Sequence, residues 1–307
     1  MNKMRVGIIG FGNVGSGALD AVNQEPDMEA AGVVELIDAP QLKSALDVQK
    51  CAKLNQMKVV KNIDELDNVD VALICTQSRN VKGLAENILA KGIHTVDSFD
   101  IHNEIPQLRR DLDGIAKQNN AVAITSAGWD PGINSMVRSM FLAMAPKGIT
   151  YTNFGPGMSM GHTCAVHAMP GVKKALSVTV PAGMGIHRRM VYVELEEGTN
   201  FEEMERKIKT DPYFANDRTY VFEVDNVDTL KDVGHGVMME RKGASGLTHN
   251  QMMKFELKVN NPALTSQIMV SAARAAVKQQ PGCYTMIEIP VIDLLREEKE
   301  VLIEKLV

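Results

Sequence analysis

Gly10-Phe11-Gly12-Asn13-Val14-Gly15 lies between the apolar run Arg5-Val6-Gly7-Ile8-Ile9 and a helically spaced segment at 18–23. A strand, a glycine-rich turn and a helix in that order constrain this chain more than any other feature. The first glycine permits the tight turn, the second lets backbone approach a diphosphate, and the third lets the helix pack closely on the strand. The helix then presents free N–H groups to an anion. The spacing alone also fits a tight turn in an unrelated fold. The strand–turn–helix context favours a dinucleotide site, with Gly10, Gly12, Asn13, Val14 and Gly15 as cofactor-binding residues.

The alternation continues. Residues 31–35, 69–75, 93–97 and 121–126 read as further buried strands, with helical patterns over 81–90 and 105–118. Strands alternating with helices give an α/β class, a Rossmann-type doubly wound parallel sheet over residues 1–126. After Trp129 the texture changes to Gly/Pro clusters between period-two segments at 177–180, 190–195, 219–224, 237–241 and 255–259. That pattern predicts a second α+β domain over 127–262, for substrate binding and oligomerisation. An Ala-rich helix over 263–280 ends at Pro281-Gly282, and 263–307 is expected to pack back on the first domain, with 293–307 helical. A length of 307 residues suits about two domains.

Composition excludes several classes of function. Net charge is −5 with no Lys/Arg stripe, which argues against nucleic acid as a partner. No apolar run approaches the roughly 20 residues of a membrane span. The N-terminal run is broken too early for a signal-peptide core, so the cytoplasm is expected. Cys51, Cys75, Cys164 and Cys283 are widely spaced and read as reduced thiols. His162 and His167 are five apart, off a common helical face, and no metal site is expected.

Glu35 ends the second strand, twenty residues after Gly15. An acidic residue there accepts hydrogen bonds from the adenosine ribose and favours NAD. A 2′-phosphate beside it meets like charge, and Leu36-Ile37-Asp38 holds no arginine. Lys43 or Arg79 remains as an alternative phosphate partner, and Glu35 also fits a solvated strand end. Ligands of open α/β sheets bind outside the carboxyl ends of strands. Cys75, Thr76 and Ser98 at such ends are expected to contact the cofactor, and Asp100 and Asp130 to lie towards the nicotinamide. Two carboxylates suit an ammonium-bearing substrate and proton transfer. Helix N-capping is the plainer reading of each.

The loop 153–162 (NFGPGMSMGH) precedes a helix and offers backbone N–H groups to an anion such as a carboxylate; a structural turn is the alternative. Arg188 and Arg189 point to opposite faces if they lie on a strand, one free to clamp a carboxylate. His235, between two glycines, fits a loop contact or a surface histidine.

These segments give a family resemblance. GFGNVG at 10–15, HTVDSFDIH at 94–102, SAGWDPG at 126–132, TNFGPGMSMGH at 152–162, VGHG at 233–236 and NNPALT at 260–265 resemble the meso-diaminopimelate dehydrogenases, D-specific enzymes of bacterial lysine biosynthesis. The likeness covers nearly the whole chain, and the compact stretch between Thr179 and Arg189 resembles the shorter subgroup. It implies reversible oxidative deamination at the D-centre of meso-2,6-diaminopimelate, giving L-2-amino-6-oxopimelate and ammonia. It further implies Asp100 and Asp130 as catalytic residues at the D-amino end, with Trp129 and Phe154 shaping the pocket. Met160 and Gly161 offer N–H groups to a carboxylate. Thr179, Arg189, His235 and Asn261 hold the distal L-end. The expected assembly is a homodimer or higher homo-oligomer. Family members carry arginines for NADP at 35–38; this chain does not, which leaves NADP and NAD both open. Alternatives are a Rossmann dehydrogenase or imine reductase on another amino acid, and a nucleotide-binding sensor without turnover. A sensor should lack the paired acids.

Overall fold

Strand β1 (Met4–Ile9) is buried along its last four residues, as a strand covered on both faces must be. It feeds α1 (Asn13–Gln24), which returns into β2 (Met28–Val34). The computed structural model describes residues 3–35, 48–230 and 234–307. Lys43, the 36–38 segment and Val233, weighed above, lie outside the described residues. Then follow α2 (Val48–Leu54), β3 (Val59–Val60), β4 (Val71–Ile74), α3 (Ser78–Leu89), β5 (His94–Asp97), α4 (Ile105–Gln118), β6 (Val122–Thr125) and α5 (Ile133–Met144).

The chain divides into two compact units, 1–139 with 262–307, and 140–261. The division falls within α5, later than the 126/127 position read from the sequence. The reason lies in the hydrogen bonds of the intervening loop. Ala127 N–H donates to the Asp97 carbonyl at 2.7 Å, and Asp130 pairs with Arg138 at 2.8 Å.

In the second unit come β7 (Lys147–Phe154), β8 (Gly157–Met158), α6 (Met160–His167), β9 (Val172–Gly183), β10 (Ile186–Leu195), α7 (Phe201–Thr210), β11 (Arg218–Glu223), β12 (His235–Ser245) and β13 (Thr248–Val259). They make a four-stranded sheet in the order β11-β10-β9-β8 and a three-stranded antiparallel sheet in the order β13-β12-β7. Val166 of α6 and Met204 and Ile208 of α7 close a core with Val172, Val191, Val193 and Val221 of the first sheet.

Helix α8 (Asn261–Ala276) begins at the unit boundary and leads to β14 (Gly282–Thr285). The sheet of the first unit is then complete and parallel throughout, in the order β14-β6-β5-β4-β1-β2-β3. The order in which strands are added reverses at β1, which opens a crevice beyond the ends of β1 and β4. One face packs Ile8 and Val33 on Leu19 of α1 and Leu54 of α2; the other packs Ile74 and Ala123 on α3 and α4 through Ala85, Leu89, Leu108 and Leu112.

The tail departs from the sequence reading. Helix α8 stops at Ala276, and 293–307 is not one helix. Two 3₁₀ turns, Met286–Glu288 and Val291–Leu294, precede α9 (Lys299–Leu306). Glu298 is extended, with ψ of 146°. The charged run 296–300 has no apolar stripe to hold it as helix against a core.

Candidate active site

In the first unit the chain turns at Gly10, where φ is +87°. Its N–H donates to the Val34 carbonyl at 2.8 Å, and a Cβ there would press on the Cys75 carbonyl oxygen and Thr76 Cγ2 at 3.0 Å. Gly15 is tighter, since a Cβ would overlap the Gly10 carbonyl oxygen. Gly12 differs: a Cβ added there meets nothing within 4 Å. Two glycines serve the fold, and the third keeps a space open above the backbone. Gly12 is also the N-cap of α1, with no side-chain cap bond and no acidic residue in the first turn. The N–H groups of Asn13 and Val14 therefore lie at an anion-binding helix end. A diphosphate fits this cradle in shape and in charge.

Three neighbours complete it. Phe11 N–H donates to Glu35 Oε2 at 2.9 Å, which draws the half-buried carboxylate back to the glycine turn. Lys50 Nζ donates to Asn13 Oδ1 at 2.7 Å, placing a cation on the first turn of α1. The sequence reading missed Lys50 because no periodic signal marks α2. Cys75 N–H donates to the Ile9 carbonyl at 2.8 Å, and burial pushes its thiol up to about 12, so it stays protonated.

Asp100 and Asp130 follow β5 and β6. The Ser78 hydroxyl at the start of α3 donates to Asp100 Oδ1 at 2.6 Å, and Asp100 N–H donates back to Ser78 Oγ at 3.1 Å. Neither aspartate caps a helix: the N-cap of α4 is Glu104, and Asp130 spends Oδ1 on Arg138. The Asp130 side chain is 5% exposed, whereas Asp100 is open to solvent. Trp129 is buried beside it, its carbonyl accepting from Asn134 N–H at 2.9 Å. Ser98 is half-buried, its Cβ 3.8 Å from the place a Gly128 Cβ would take.

In the second unit, Thr179, Arg189, Phe154, Met160 and His235 gather around the turn 155–157. Arg189 and Thr179 are paired across β10 and β9, and the guanidinium donates to the Thr179 hydroxyl. Its Nε donates to Asp217 Oδ2 at 2.6 Å. The ion pair is largely sheltered, the side chains 14% and 23% exposed. Arg188 points away and is exposed. Gly155 N–H donates to the Gly236 carbonyl at 2.7 Å, and a Cβ on Gly157 would overlap the Gly234 carbonyl. These contacts bring buried His235 to the turn, its Nδ1 accepting from Gly236 N–H at 2.8 Å. Phe154 N–H donates to His187 Nε2 at 2.8 Å, an acceptor role that requires neutral imidazole.

Met160 and Gly161 open α6, whose N-cap Ser159 makes no side-chain cap bond. Ser159 Oγ instead meets His162 Nδ1 at 2.8 Å. Burial, reinforced by the charge of Arg189, pushes His162 down to about 4. The N–H groups of Met160 and Gly161 stand in the first turn of that helix. Asn261 opens α8. Asp217, His187 and Arg138 were missed in the sequence, which gives no local pattern for them. Among the described residues no cluster of His, Cys, Asp and Glu is arranged to hold a metal, and no helix is long and apolar enough to cross a membrane.

Residues 128–261 match the family described as diaminopimelic acid dehydrogenase C-terminal domain, and residues 4–96 the oxidoreductase family, NAD-binding Rossmann fold. The meso-diaminopimelate D-dehydrogenase of Bacteroides fragilis is 57% identical over 300 residues, 98% of each chain. That of Lysinibacillus sphaericus is 33% identical over 94% of this chain and 95% of its own. Among solved structures, the Corynebacterium glutamicum diaminopimelate dehydrogenase in complex with diaminopimelate covers all of both chains at 28% identity and a TM-score of 0.88. An engineered D-amino acid dehydrogenase bound to NADP+ aligns over all of both chains at 26% identity and a TM-score of 0.86.

Proposed function

The chain belongs to the meso-diaminopimelate D-dehydrogenase family, and from that premise we propose how its residues divide the work. The reaction is reversible NAD(P)-dependent oxidative deamination at the D-centre of meso-2,6-diaminopimelate, to L-2-amino-6-oxopimelate and ammonia. The glycine turn would hold a nicotinamide cofactor, which would supply the hydride acceptor. Gly12, Asn13 and Val14 hold its diphosphate at the N-terminus of α1, with Lys50 adding charge, and Glu35 meets the adenosine ribose. Cys75, Thr76 and Ser98 line its path along the strand ends.

Asp130 shares one oxygen with Arg138 and uses the other to hold and orient the substrate ammonium. Asp100, held by a hydroxyl rather than a guanidinium, takes the ammonium proton; the neutral amine then gives up the D-centre hydride to become an iminium, which a water oriented on the same carboxyl group hydrolyses to the oxo acid and ammonia. Such a group typically contributes about 10²–10⁴-fold. Trp129 and Phe154 are the aromatic residues assigned to substrate contact, one in each unit. Met160 and Gly161 N–H groups receive one carboxylate, and Arg189, Thr179, His235 and Asn261 fix the L-end.

The observation that carries this reading is Arg189, held from two sides by Asp217 and Thr179. A fixed guanidinium binds a carboxylate at little further entropic cost. It demands one configuration at the end it holds and leaves the D-centre to react. We further propose a cytoplasmic homodimer or higher homo-oligomer that favours NAD over NADP more than its relatives do.

The test is nicotinamide reduction with meso- and L,L-diaminopimelate, each with NAD and with NADP. Turnover of the meso isomer, with little of the L,L isomer, is expected. Equal rates on both isomers overturn the assignment of the distal anchors.

A further inference from the structure

Asp97 ends β5, and its side chain is wholly buried. Its Oδ1 accepts three hydrogen bonds: from Phe99 N–H at 2.9 Å, from the Thr125 hydroxyl at 3.0 Å, and from Ser126 N–H at 3.0 Å. The first donor lies in the loop that carries Asp100. The other two stand at the mouth of the loop that carries Trp129 and Asp130. The Asp97 carbonyl takes a fourth bond, from Ala127 N–H at 2.7 Å.

Two features make this more than a strand end. Ser126 holds φ of +59°, a left-handed conformation that a non-glycine residue keeps only where its surroundings impose it. The donor of that strained residue goes to Asp97. Asp97 Oδ2, moreover, is buried with no hydrogen-bond partner among the described residues. A buried carboxyl with one oxygen unpartnered carries a desolvation cost, while an apolar replacement would strand the three donors on its other oxygen. Burial indeed pushes its pKa up to about 6. What those bonds hold in place is the relative geometry of two loops.

We propose that Asp97 is a positioning residue for the reaction: its buried carboxyl group sets the Asp100 loop against the Asp130 loop. Asp97 is sealed from solvent and touches no substrate. It fixes where two carboxylates stand, and displacing catalytic groups by about 1 Å costs on the order of 10²-fold in rate. This rests on the reading of Asp100 and Asp130 given above.

The experiment compares Asp97→Ala, Asp97→Asn and Thr125→Val with wild type, with Asp100→Asn, Asp130→Asn and the double variant Asp97→Ala/Asp130→Asn in parallel. Steady-state kinetics with meso-diaminopimelate give kcat and KM, and calorimetric titration gives the dinucleotide Kd. Asp97→Ala is expected to lower kcat about tenfold or more with dinucleotide Kd within about twofold of wild type. Asp97→Asn keeps an acceptor oxygen and should recover most of the loss. In the double variant the two losses should fall well short of multiplying, because one acts through the other. Unchanged kcat in Asp97→Ala, a loss confined to dinucleotide Kd, or fully multiplicative losses overturn the proposal. If Asp97→Ala does not fold, Thr125→Val, which removes one donor, carries the test: a lower kcat at unchanged dinucleotide Kd supports the proposal, and an unchanged kcat overturns it. Wild-type rates in both Asp100→Asn and Asp130→Asn overturn the underlying reading and the proposal with it. Wild-type rates in the Asp97 and Thr125 variants alone overturn only the proposal.

Discussion

The Phe11 backbone N–H donates to Glu35 Oε2 at 2.9 Å, so the acidic group at the end of β2 is held at the glycine turn itself. A 2′-phosphate at the ribose would meet that carboxylate. Two unit charges at about 4 Å repel by roughly 1 kcal/mol in water and about 4 kcal/mol at the effective dielectric of a protein surface. Tenfold in an equilibrium constant corresponds to about 1.4 kcal/mol. Glu35→Arg is therefore expected to move the NADP/NAD ratio of kcat/KM towards NADP by about tenfold or more. Glu35→Gln, which keeps the acceptor for Phe11 and removes the charge, should fall between. A wild type that strongly prefers NADP, together with an inert Glu35→Arg, would show that Glu35 does not face the ribose.

Arg189 is expected to act on substrate and not on cofactor. Arg189→Ala removes, from a sheltered site, the cation proposed to meet the substrate carboxylate, and truncating one partner of such a pair costs about 2–5 kcal/mol. Its kcat/KM for meso-diaminopimelate should fall accordingly, while dinucleotide Kd stays near wild type. Asp217→Asn, which weakens the hold on the arginine, should show the same pattern more weakly. A loss expressed mainly in dinucleotide binding rules this out.

The fold of the first unit was legible because its signals are local. The run ahead of Gly10, and the switches between short apolar runs and helical spacing, each arise within a few residues. Strand β14 was not legible, because Gly282–Thr285 is too short to carry a period. It becomes a strand only by pairing with β6, far away in sequence. The site divides in the same way. Gly10, Gly12 and Gly15 announce themselves by spacing. Asp217 and Asp97 find their partners on or beside neighbouring strands, and Arg138 finds Asp130 in the loop ahead of its own helix. The carboxylates at 100 and 130 were placed by strand-end logic, but their bonds to Ser78 and Arg138 needed the structure.

His162 should make stability depend on pH in a stated direction. Burial and the Arg189 charge hold it at about 4, below the ordinary 6.5. Between those values the unfolded chain binds more protons than the folded one, so stability rises with pH there. The contribution is complete above about pH 6.5 and is lost as pH falls towards 4, with a ceiling on the order of 3 kcal/mol. Asp97, raised by burial, works in the opposite sense over part of that range, but it is common to wild type and variant. The fall in Tm from pH 7 to about pH 4.5 should thus be smaller in His162→Gln than in wild type. Identical slopes would place His162 in contact with solvent.

Gly12 and Gly15 separate binding from folding. A Cβ on Gly15 would overlap the Gly10 carbonyl oxygen, and backbone cannot swing aside as a side chain can. Gly15→Ala must push α1 away from β1 and is expected to lower Tm markedly or abolish soluble protein. A Cβ on Gly12 meets no protein atom within 4 Å, and its φ of −76° suits alanine. At an N-cap, alanine costs more than glycine, but only by about 0.5–1 kcal/mol when no side-chain bond is lost. Gly12→Ala should therefore fold nearly as well as wild type. The methyl group would instead occupy the space into which the diphosphate settles on the N-terminus of α1. Dinucleotide Kd should rise about tenfold or more. The increase in Tm that saturating dinucleotide gives wild type, which follows RT ln(1 + [L]/Kd), should shrink to match. Thermal unfolding of both variants, with and without NAD and NADP, checks both halves at once. Gly12→Ala with wild-type dinucleotide affinity would move the diphosphate off this turn, and equal stability in the two variants would remove the distinction between the glycines.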